Sequence, residues 1–340
     1  MEGILRKFSS LFRGDSGEIT GTVIKVELND DYCRSMIGDD GSEKYFLHKP
    51  VLLREVIENL NLSPGKTIVD CTIGSGGHAE EILRKILPGG FLIGIDLDRN
   101  IFSITEERLK KYSGSFKLVQ GNFKDISKII EDLHIKKVDG FLLDLGISSY
   151  QLSDRRRGFS FRSGGPLDMR MDETQRLKAF DLVNYMDEDG LVKILEHNAQ
   201  ERFARRIVHN IVIARKRKNI ETTTELVEII LRALPKNYRS YHIHPATRTF
   251  QALRIAVNNE LDNLIYFLDN FFNLLSLGGR IVIISFHSLE DRIVKNKFIQ
   301  LAKNGLFKIL TKKPIRPESD EISENSRARS AKLRLGERIR

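Results

Sequence analysis

From His48 to Asp144, short apolar runs alternate with amphipathic stretches. A short apolar run bounded by turn residues predicts a buried parallel strand, and an apolar spacing of three to four residues predicts a helix. Strands that alternate with helices in this way predict βαβ units and a doubly wound parallel α/β sheet. The predicted strands are Lys66–Cys71, Phe91–Ile95, Phe116–Gln120 and Val138–Leu143, and the predicted helices are Leu52–Leu60, Ala79–Ile86, Ile101–Tyr112 and Asp125–Leu133.

After Asp144 this alternation stops, and residues 153–246 carry helical patterns without a convincing buried strand. We interpret this block as a helical insertion after the fourth strand. The α/β pattern then resumes with one long helix from Thr249 to Leu275. The other predicted elements are helices Glu188–His197, Ala199–Lys216, Thr223–Ala233 and Leu289–Ala302, strand Arg280–Ser285, and closing strands at Phe307–Leu310 and Ala331–Leu335.

The pattern thus divides the chain into four parts. Residues 1–46 form an N-terminal extension of unknown role, in which Ile19–Leu28 alternates enough for a strand or two. Residues 47–152 and 247–340 are the two parts of one α/β core, and 153–246 is the insertion between them. With 340 residues and 41% hydrophobic content, the chain can build one large domain or two medium ones.

Charge and cysteine content narrow the choice of partners and compartment. The formal net charge of +9 favours a polyanionic partner, although a basic solvated surface has the same composition. The two cysteines, Cys33 and Cys71, form no metal-type spacing and suit a reducing cytosol. The absence of an apolar run of membrane-spanning length predicts no membrane association, so we expect a cytoplasmic protein.

A glycine-rich loop follows the first predicted strand and precedes a helix. Gly74, Gly76 and Gly77 let the backbone approach a ligand, and the helix that follows offers free N–H groups. The spacing is GxGG, not the GxGxxG of a dinucleotide loop. Asp70 at the loop would repel a pyrophosphate but attract the ammonium of a methionyl group. The loop therefore favours S-adenosylmethionine over the alternative, an NAD-dependent oxidoreductase.

Two further side chains are placed to hold such a cofactor. Asp96 ends the second strand, where a carboxylate binds ribose hydroxyls. Its alternative role is a helix cap, but Asp98 and Asn100 can serve as caps equally well and leave Asp96 for the ligand. Phe123 follows the third strand and is placed to cover an adenine ring, or else belongs to the core.

The fourth strand ends in a loop that carries candidate catalytic groups. Asp144 and Ser148 lie where the carboxyl ends of strands face the ligand crevice, and Gln151 follows closely. Methylation at carbon 5 of a pyrimidine needs a cysteine nucleophile, and neither cysteine lies on this loop. An exocyclic amine can instead attack directly when oxygen acceptors orient it. We therefore expect N-methylation. His287, beyond the fifth strand, is a candidate for substrate positioning or proton handling, or is structural.

The chain resembles the small-subunit ribosomal RNA methyltransferase H family, also called MraW, from His48 almost to its end. The glycine loop is shared by many methyltransferases, whereas the strings GPLDMRMD and FHSLEDR are much more specific. The matching segments are His48–Leu53, Gly74–His78, Asp144–Ser149, Arg157–Phe161, Gly165–Asp172, His244–Ile255, Ser285–Arg292 and Ser326–Arg334. The 46 residues before Leu47 look like an addition, and Asn325-Ser326 stands where the family usually has Asn-Pro.

This resemblance implies a Rossmann-like methyltransferase sheet with an inserted helical domain after the fourth strand. It also implies transfer of a methyl group from S-adenosylmethionine to the exocyclic N4 of a cytidine in 16S rRNA, at the decoding centre. Because the loop is DLGISS and not DPPY, mechanistic detail does not transfer from amino-methyltransferases of DNA. The family's donor-binding positions fall on Gly76, Gly77, His78, Asp96, Phe123, Asp144 and Gln151.

The partner expected from the resemblance is 16S rRNA in the small ribosomal subunit, with the insertion as its recognition domain. Asp168 and Arg170 can form an internal salt bridge instead, and Arg155–Arg157 and Arg215–Lys218 are further basic groups. His242 and His244 lack a third ligand, so no metal is predicted. A homodimer, a purely assembly-related role, and methylation of DNA or another RNA stay open. The family strings favour RNA contact by Arg170, Arg248, Arg254, Arg327, Arg329 and Lys332.

Overall fold

A seven-stranded sheet of order β3-β2-β1-β4-β5-β7-β6 forms the centre of the fold. The β1–β2, β1–β4, β2–β3 and β4–β5 pairs are parallel, and β7 runs antiparallel between β5 and β6. The expected Rossmann-like α/β architecture is therefore confirmed, with an antiparallel last strand that the dinucleotide-binding order 3-2-1-4-5-6 lacks. The strands are β1 Thr67–Asp70, β2 Phe91–Asp96, β3 Phe116–Gln120, β4 Val138–Asp144, β5 Leu275–Ser285, β6 Phe307–Ile309 and β7 Lys332–Arg338.

The computed structural model describes residues 49–162, 164–235, 238 and 244–340. The predicted strand at Ile19–Leu28 and the residue His242 lie outside them. In the described ranges no helix has the length and apolar character of a membrane span. The helices are α1 Leu53–Asn59, α2 Gly77–Ile86, α3 Phe102–Leu109, α4 Ile126–Asp132, α5 Ser149–Ser153, α6 Ala179–Tyr185, α7 Glu188–Ala199, α8 Ala204–Arg215, α9 Thr223–Ala233, α10 Thr247–Asn258, α11 Glu260–Leu274, α12 Ser288–Lys303 and α13 Ser319–Glu324.

Both faces of the central part of the sheet are buried, because strands β1, β2 and β4 and the end of β5 are mostly apolar. Ile68 and Leu92 pack into the cluster that includes α1 and α2, whereas their neighbours Val69 and Ile93 pack against α4 and α11 on the other face. Successive side chains on a strand point to opposite faces, which explains this division. A sheet covered on both faces needs apolar runs rather than alternation, as the sequence has.

The helices between β4 and β5 have an apolar cluster of their own. It runs from Phe159 and Leu167 through α6–α9 and includes Phe250, Leu253 and Val257 of α10. The first helix of the second core part, α10, therefore packs against α6 and α7 of the helical segment and also contacts α11.

The single long helix predicted from Thr249 to Leu275 is wrong, because the chain breaks at Asn259. This residue has a φ of 51° and separates α10 from α11. Asparagine adopts the left-handed conformation more readily than most residues and often ends a helix. The apolar spacing continues across the break, so the pattern alone could not reveal it. The strand predicted at Arg280–Ser285 likewise begins earlier, at Leu275.

The carboxyl ends of four neighbouring strands meet at one edge of the sheet. Asp70 ends β1, Asp96 ends β2, Asp144 ends β4 and Ser285 ends β5. The register aligns Asp70 with Leu142 and aligns Asp144 with Ile284. Polar side chains from residues far apart in the sequence therefore line this edge, where open α/β sheets bind ligands.

Candidate active site

Three carboxyl groups at the strand ends have raised pKa values. Burial raises the pKa of Asp70 to about 7, and the nearby charge of Asp96 adds to the effect. Burial likewise raises the pKa of Asp96 to about 6. The pKa of Asp144 lies well above its ordinary value because of burial and the charges of Asp70 and Glu290. Close, poorly solvated carboxyls of this kind resist ionisation unless a positive charge joins them.

No lysine or arginine in the described part of the chain forms an ion pair with Asp70, Asp96 or Asp144. The nearest basic group to Asp144 is His78, whose Nδ1 lies 3.9 Å from Asp144 Oδ2. Asp144 Oδ1 is buried and accepts no hydrogen bond from the described residues. A buried acceptor without a donor is costly, so this oxygen points to a ligand that supplies a donor or a positive charge.

The glycine loop joins β1 to α2 by a tight turn. Gly76 has a φ of 78° and is the N-cap residue of α2, a conformation that favours glycine. A Cβ at Gly77 would lie 2.5 Å from Pro50 Cγ, so only glycine allows this approach. Arg108 donates to the Ser75 carbonyl, and Thr105 donates to the Gly74 carbonyl at 2.5 Å. Side chains of α3 thus hold the loop in place, and the start of α2 faces the edge of the sheet.

His78 connects the loop to the segment before α1. Its ring is buried, and Nε2 lies 3.0 Å from the Val51 carbonyl oxygen. An Nε2–H that donates to Val51 leaves Nδ1 without a proton on the side of Asp144. His78 therefore anchors the start of α2, beside the carboxyl group of Asp144.

Asp96 lies at the expected edge, but both of its carboxylate oxygens already accept backbone amides. Oδ2 accepts from Gly74 N and Oδ1 from Asp98 N, each at 2.9 Å. Asp98 caps the short 3-10 helix that follows, as expected for the neighbour of Asp96. Both oxygens of Asp96 are thus already used by the protein. It holds the glycine loop against the end of β2.

Ser148 and Gln151 form a reciprocal capping box at α5. Gln151 N donates to Ser148 Oγ and Ser148 N donates to Gln151 Oε1, both at 3.1 Å. The side chain of Gln151 is buried, and its Nε2 donates to Asp98 Oδ2 at 3.1 Å. Both residues therefore shape the loop after Asp144. The Ser148 hydroxyl keeps its own hydrogen for donation because a hydroxyl accepts and donates at once.

His287 is the N-cap residue of α12. Its Nδ1 accepts from Glu290 N at 3.4 Å, and its Nε2 lies 3.2 Å from Glu290 Oε1 without hydrogen-bond alignment. Glu290 Oε2 in turn accepts the amides of Phe286 and His287. Both ring nitrogens thus face Glu290. This geometry fits the structural alternative, an N-cap residue held by Glu290, and substrate positioning or proton handling by His287 stays a prediction.

Phe123 lies partly exposed beyond β3. Its ring meets Phe267 edge to face, with centroids 5.9 Å apart, at the border of the apolar cluster on the α11 side. One face of the ring is therefore part of the core. Both roles expected for Phe123 are compatible with this placement.

Two of the arginines expected to contact RNA are instead held inside the protein. Arg170 forms a bidentate ion pair with Asp168, and its remaining guanidinium nitrogen donates to the carbonyls of Glu173 and Gln175. Arg254 forms a bidentate pair with Glu260, both distances being 2.8 Å. A guanidinium satisfied in this way has few donors left for phosphate, and RNA contact by Arg170 and Arg254 stays a prediction.

The other cationic candidates lie nearer the surface. Arg329 and Arg248 are exposed. Arg327 donates to Ser149 Oγ, and Lys332 lies 3.6 Å from Asp291. Arg157, the last residue of the predicted basic group Arg155–Arg157, is buried and does not face solvent.

The structure places three residues at this edge that were not predicted to belong to the site. Thr72 Oγ1 accepts the amide of Asp144 at 2.7 Å, and Glu290 holds the loop after β5. Asp98 accepts from both Gln151 and Arg157. The only feature of the sequence that pointed to Asp98 was its position two residues after Asp96, and we interpreted Asp98 as a helix cap.

Glu260, His287 and Glu290 bring one potential metal ligand atom each within 4.8 Å. Arg254 occupies both oxygens of Glu260, and two backbone amides occupy one oxygen of Glu290. Arg254 already neutralises Glu260, and backbone amides hold Glu290, so we assign no metal to this cluster.

The carboxyls and the glycine loop fit a donor with two positive centres. The sulfonium and ammonium groups of S-adenosylmethionine would supply the positive charge that Asp70, Asp96 and Asp144 lack, and the start of α2 would offer backbone N–H groups. The fold and this site define a Rossmann-like methyltransferase that uses S-adenosylmethionine.

The sequence matches the MraW methylase family over residues 45–339, and the chain belongs to that family. It is 47% identical over 309 residues to the ribosomal RNA small subunit methyltransferase H of Clostridioides difficile, covering 86% of this chain and 99% of the relative. The protein of the same name from Persephonella marina is 50% identical over 292 residues, with the same coverage of 86% and 99%.

Among solved structures, the chain is similar to fibrillarin from Aeropyrum pernix in complex with natively bound S-adenosyl-L-methionine. The identity is 12% and the TM-score 0.35, with 81% of this chain and 67% of the other covered.

Proposed function

We propose that this protein methylates the exocyclic N4 of a cytidine in the 16S rRNA of the small ribosomal subunit, at the decoding centre, in the cytoplasm. The names of its curated relatives and its family membership support the small-subunit rRNA as substrate. The net charge of +9 agrees with a polyanionic partner. The finer specificity, N4 of cytidine, rests on the chemistry of the site and on the family resemblance.

The observation that carries this proposal is the unpartnered Asp144 Oδ1 at the end of β4. An exocyclic amine is a donor that this oxygen can accept. Such a hydrogen bond fixes the amine and turns its lone pair out of conjugation with the ring. Cys71 is the only cysteine in the described ranges and is buried, with its thiol pKa raised well above the ordinary value by burial. Among the described residues, a covalent route through a cysteine adduct therefore has no suitable nucleophile.

S-adenosylmethionine supplies an electrophilic methyl group on a sulfonium centre when it is bound. With the donor bound, the amine held by Asp144 would take this methyl group directly on nitrogen, its lone pair forming the N–C bond as the methyl–sulfur bond electrons leave with sulfur, and no covalent enzyme intermediate would be needed. A positive charge beside Asp144 lowers the pKa of this carboxyl again, so that it accepts the N–H of the amine. The proton released from nitrogen passes to Asp144 or to water.

A methyl-transfer assay tests the proposal. Labelled S-adenosylmethionine is incubated with small subunits that lack the modification and, in parallel, with naked 16S rRNA, and the nucleosides are identified by mass spectrometry. The proposal predicts N4-methylated cytidine with the wild type and its loss with Asp144→Ala. Methylation of a different atom or of DNA would overturn the stated specificity. Donor binding without any transfer would favour a purely assembly-related role.

A further inference from the structure

A cavity of about 320 Å³ lies where α7, α10 and α12 meet. Its wall includes Gln200 just after α7, Arg202, Arg248 and Gln251 of α10, and His287 and Ser288 at the start of α12. The volume is large enough for a phosphate group and part of a sugar. None of the donor-binding positions Gly76, Asp96 and Phe123 lines it.

The two arginines of this cavity differ from those buried in internal pairs. Arg202 is exposed and forms no ion pair or hydrogen bond with the described residues. Arg248 is exposed and donates through Nη1 to the Gln200 carbonyl at 3.3 Å, which leaves its other donors for a ligand. Arg170 and Arg254, by contrast, each form a bidentate ion pair with a carboxylate. Two guanidinium groups without a carboxylate partner on one cavity favour an anion.

The first turn of α12 adds donors to the same wall. The helix has 16 residues, and the amides of Ser288 and Leu289 precede its first internal hydrogen bonds. Both residues line the cavity. A helix start offers free amides and a partial positive charge to a phosphate. The cavity therefore presents two guanidinium forks and a helix start to one ligand.

The cavity also adjoins the reaction centre. His287 follows the end of β5, which pairs with the end of β4 so that Ile284 is aligned with Asp144. Glu290, in the first turn of α12, is close enough for its charge to raise the pKa of Asp144. We therefore expect a nucleotide whose base reaches Asp144 to carry its backbone past the start of α12.

We infer that this cavity binds the phosphodiester group next to the target cytidine, through Arg202, Arg248 and the first amides of α12. The inference rests on the proposed function and deepens it, because it states how the RNA backbone is held while the base is presented to Asp144. It also assigns Arg202, which lies outside the strings that resemble the family, to substrate binding.

The test compares Arg202→Ala/Arg248→Ala with Arg217→Ala, which removes an exposed arginine just beyond the other end of α8. On unmodified small subunits, we expect the KM of the double variant to rise about tenfold while kcat changes less than about twofold. The slope of log KM against log salt falls by about 0.7 for each lost phosphate contact. Arg217→Ala keeps the wild-type KM, and all three proteins keep the same melting temperature and affinity for S-adenosylmethionine.

A second arm identifies the ligand as a phosphate. Binding is measured with an RNA fragment that carries one neutral methylphosphonate linkage beside the target cytidine. The wild type should lose about tenfold in affinity relative to unmodified RNA, and the double variant less than about twofold, because its phosphate contact is already gone. Equal losses in both proteins, or a KM for the double variant equal to that of Arg217→Ala, overturn the inference. A wild type that methylates no rRNA overturns the proposed function itself.

Discussion

Arg157 Nη1 donates to Asp98 Oδ2 at 2.7 Å, and the two side chains are only 4% and 3% exposed. The same Asp98 oxygen accepts from Gln151 Nε2, while Arg157 Nη2 donates to the carbonyls of Arg170 and Met171. This pair therefore joins the loop after β2 to α5 and to the helical segment. It links the part of the chain expected to hold the methyl donor with the part expected to recognise RNA.

Replacement of Arg157 by alanine should destabilise the protein by about 3–5 kcal/mol, because it leaves Asp98 buried without a guanidinium. Urea unfolding measures the loss, and calorimetry should show weaker binding of S-adenosylmethionine because Asp98 also positions Gln151. The neighbouring Arg156 provides the control, since its side chain is 86% exposed and pairs only with Asp154 among the described residues. Arg156→Ala should unfold at the wild-type midpoint. Equal midpoints for both variants would contradict a structural role for the buried pair.

These adjacent arginines show what the sequence can and cannot predict. The strand ends that carry Asp70, Asp96 and Asp144 followed from apolar runs bounded by turn residues, because a buried parallel strand needs such a run. The partner of each charged residue did not follow. The run Arg155–Arg157 consists of three identical residues that the sequence cannot distinguish. In the structure, Arg157 is buried and paired with the carboxylate of Asp98, 59 positions earlier.

The partners of the arginines expected to contact RNA were equally hard to predict from the sequence. A string shared with a family marks Arg254 and Arg170 without stating whether they hold the fold or contact a ligand. Their ion pairs with Glu260 and Asp168 are tertiary contacts that the sequence pattern does not report. The break at Asn259 was hidden for a related reason, since apolar periodicity reports which face is buried and not the φ of one residue.

Replacement of Gly77 by alanine should weaken the cofactor loop. The added Cβ would meet Pro50 Cγ at 2.5 Å, so the segment before α1 or the start of α2 must move. We expect a loss of about 1–3 kcal/mol in unfolding free energy, typical of overpacking, and weaker binding of S-adenosylmethionine. Gly121→Ala is the matched control, because its Cβ would meet only Ile129 Cδ1 at 3.4 Å. If Gly77→Ala bound S-adenosylmethionine as tightly as the wild type does, the close contact between Gly77 and Pro50 would not shape the site.

Removal of the Asp144 carboxylate should slow methyl transfer more than it affects folding. Asp144→Ala deletes the unpartnered Oδ1, and we expect the single-turnover rate to fall about 100-fold or more. Asp144→Asn retains an acceptor oxygen without the charge, so its rate should lie between those of the wild type and the alanine variant. The unfolding midpoint should not fall in Asp144→Asn, since a buried carboxyl with a raised pKa is relieved. A wild-type rate in Asp144→Ala would remove this residue from the mechanism.

The affinity for S-adenosylmethionine should increase with pH through the range in which Asp96 and Asp70 titrate. Burial raises their pKa values to about 6 and about 7, so the ligand-free protein holds protons that a free aspartate has lost. A cationic ligand favours the ionised carboxylates, and its binding therefore releases protons below pH 7. Each released proton lowers Kd by up to about tenfold per pH unit below the pKa, and Kd should level off above both values.

The stability of the ligand-free protein should change in the opposite direction. A raised carboxyl pKa contributes stability that is full below the unfolded value of 3.8 and is lost as the pH rises through about 6 and about 7. For the binding reaction, calorimetry in buffers of different ionisation enthalpy counts the protons that are released when S-adenosylmethionine binds. Asp70→Asn serves as the control, because it should remove the step at the higher pH and keep the lower one. A Kd that is independent of pH across this range would contradict the assignment of these carboxyls to the charged donor, since an uncharged ligand would leave their protons in place.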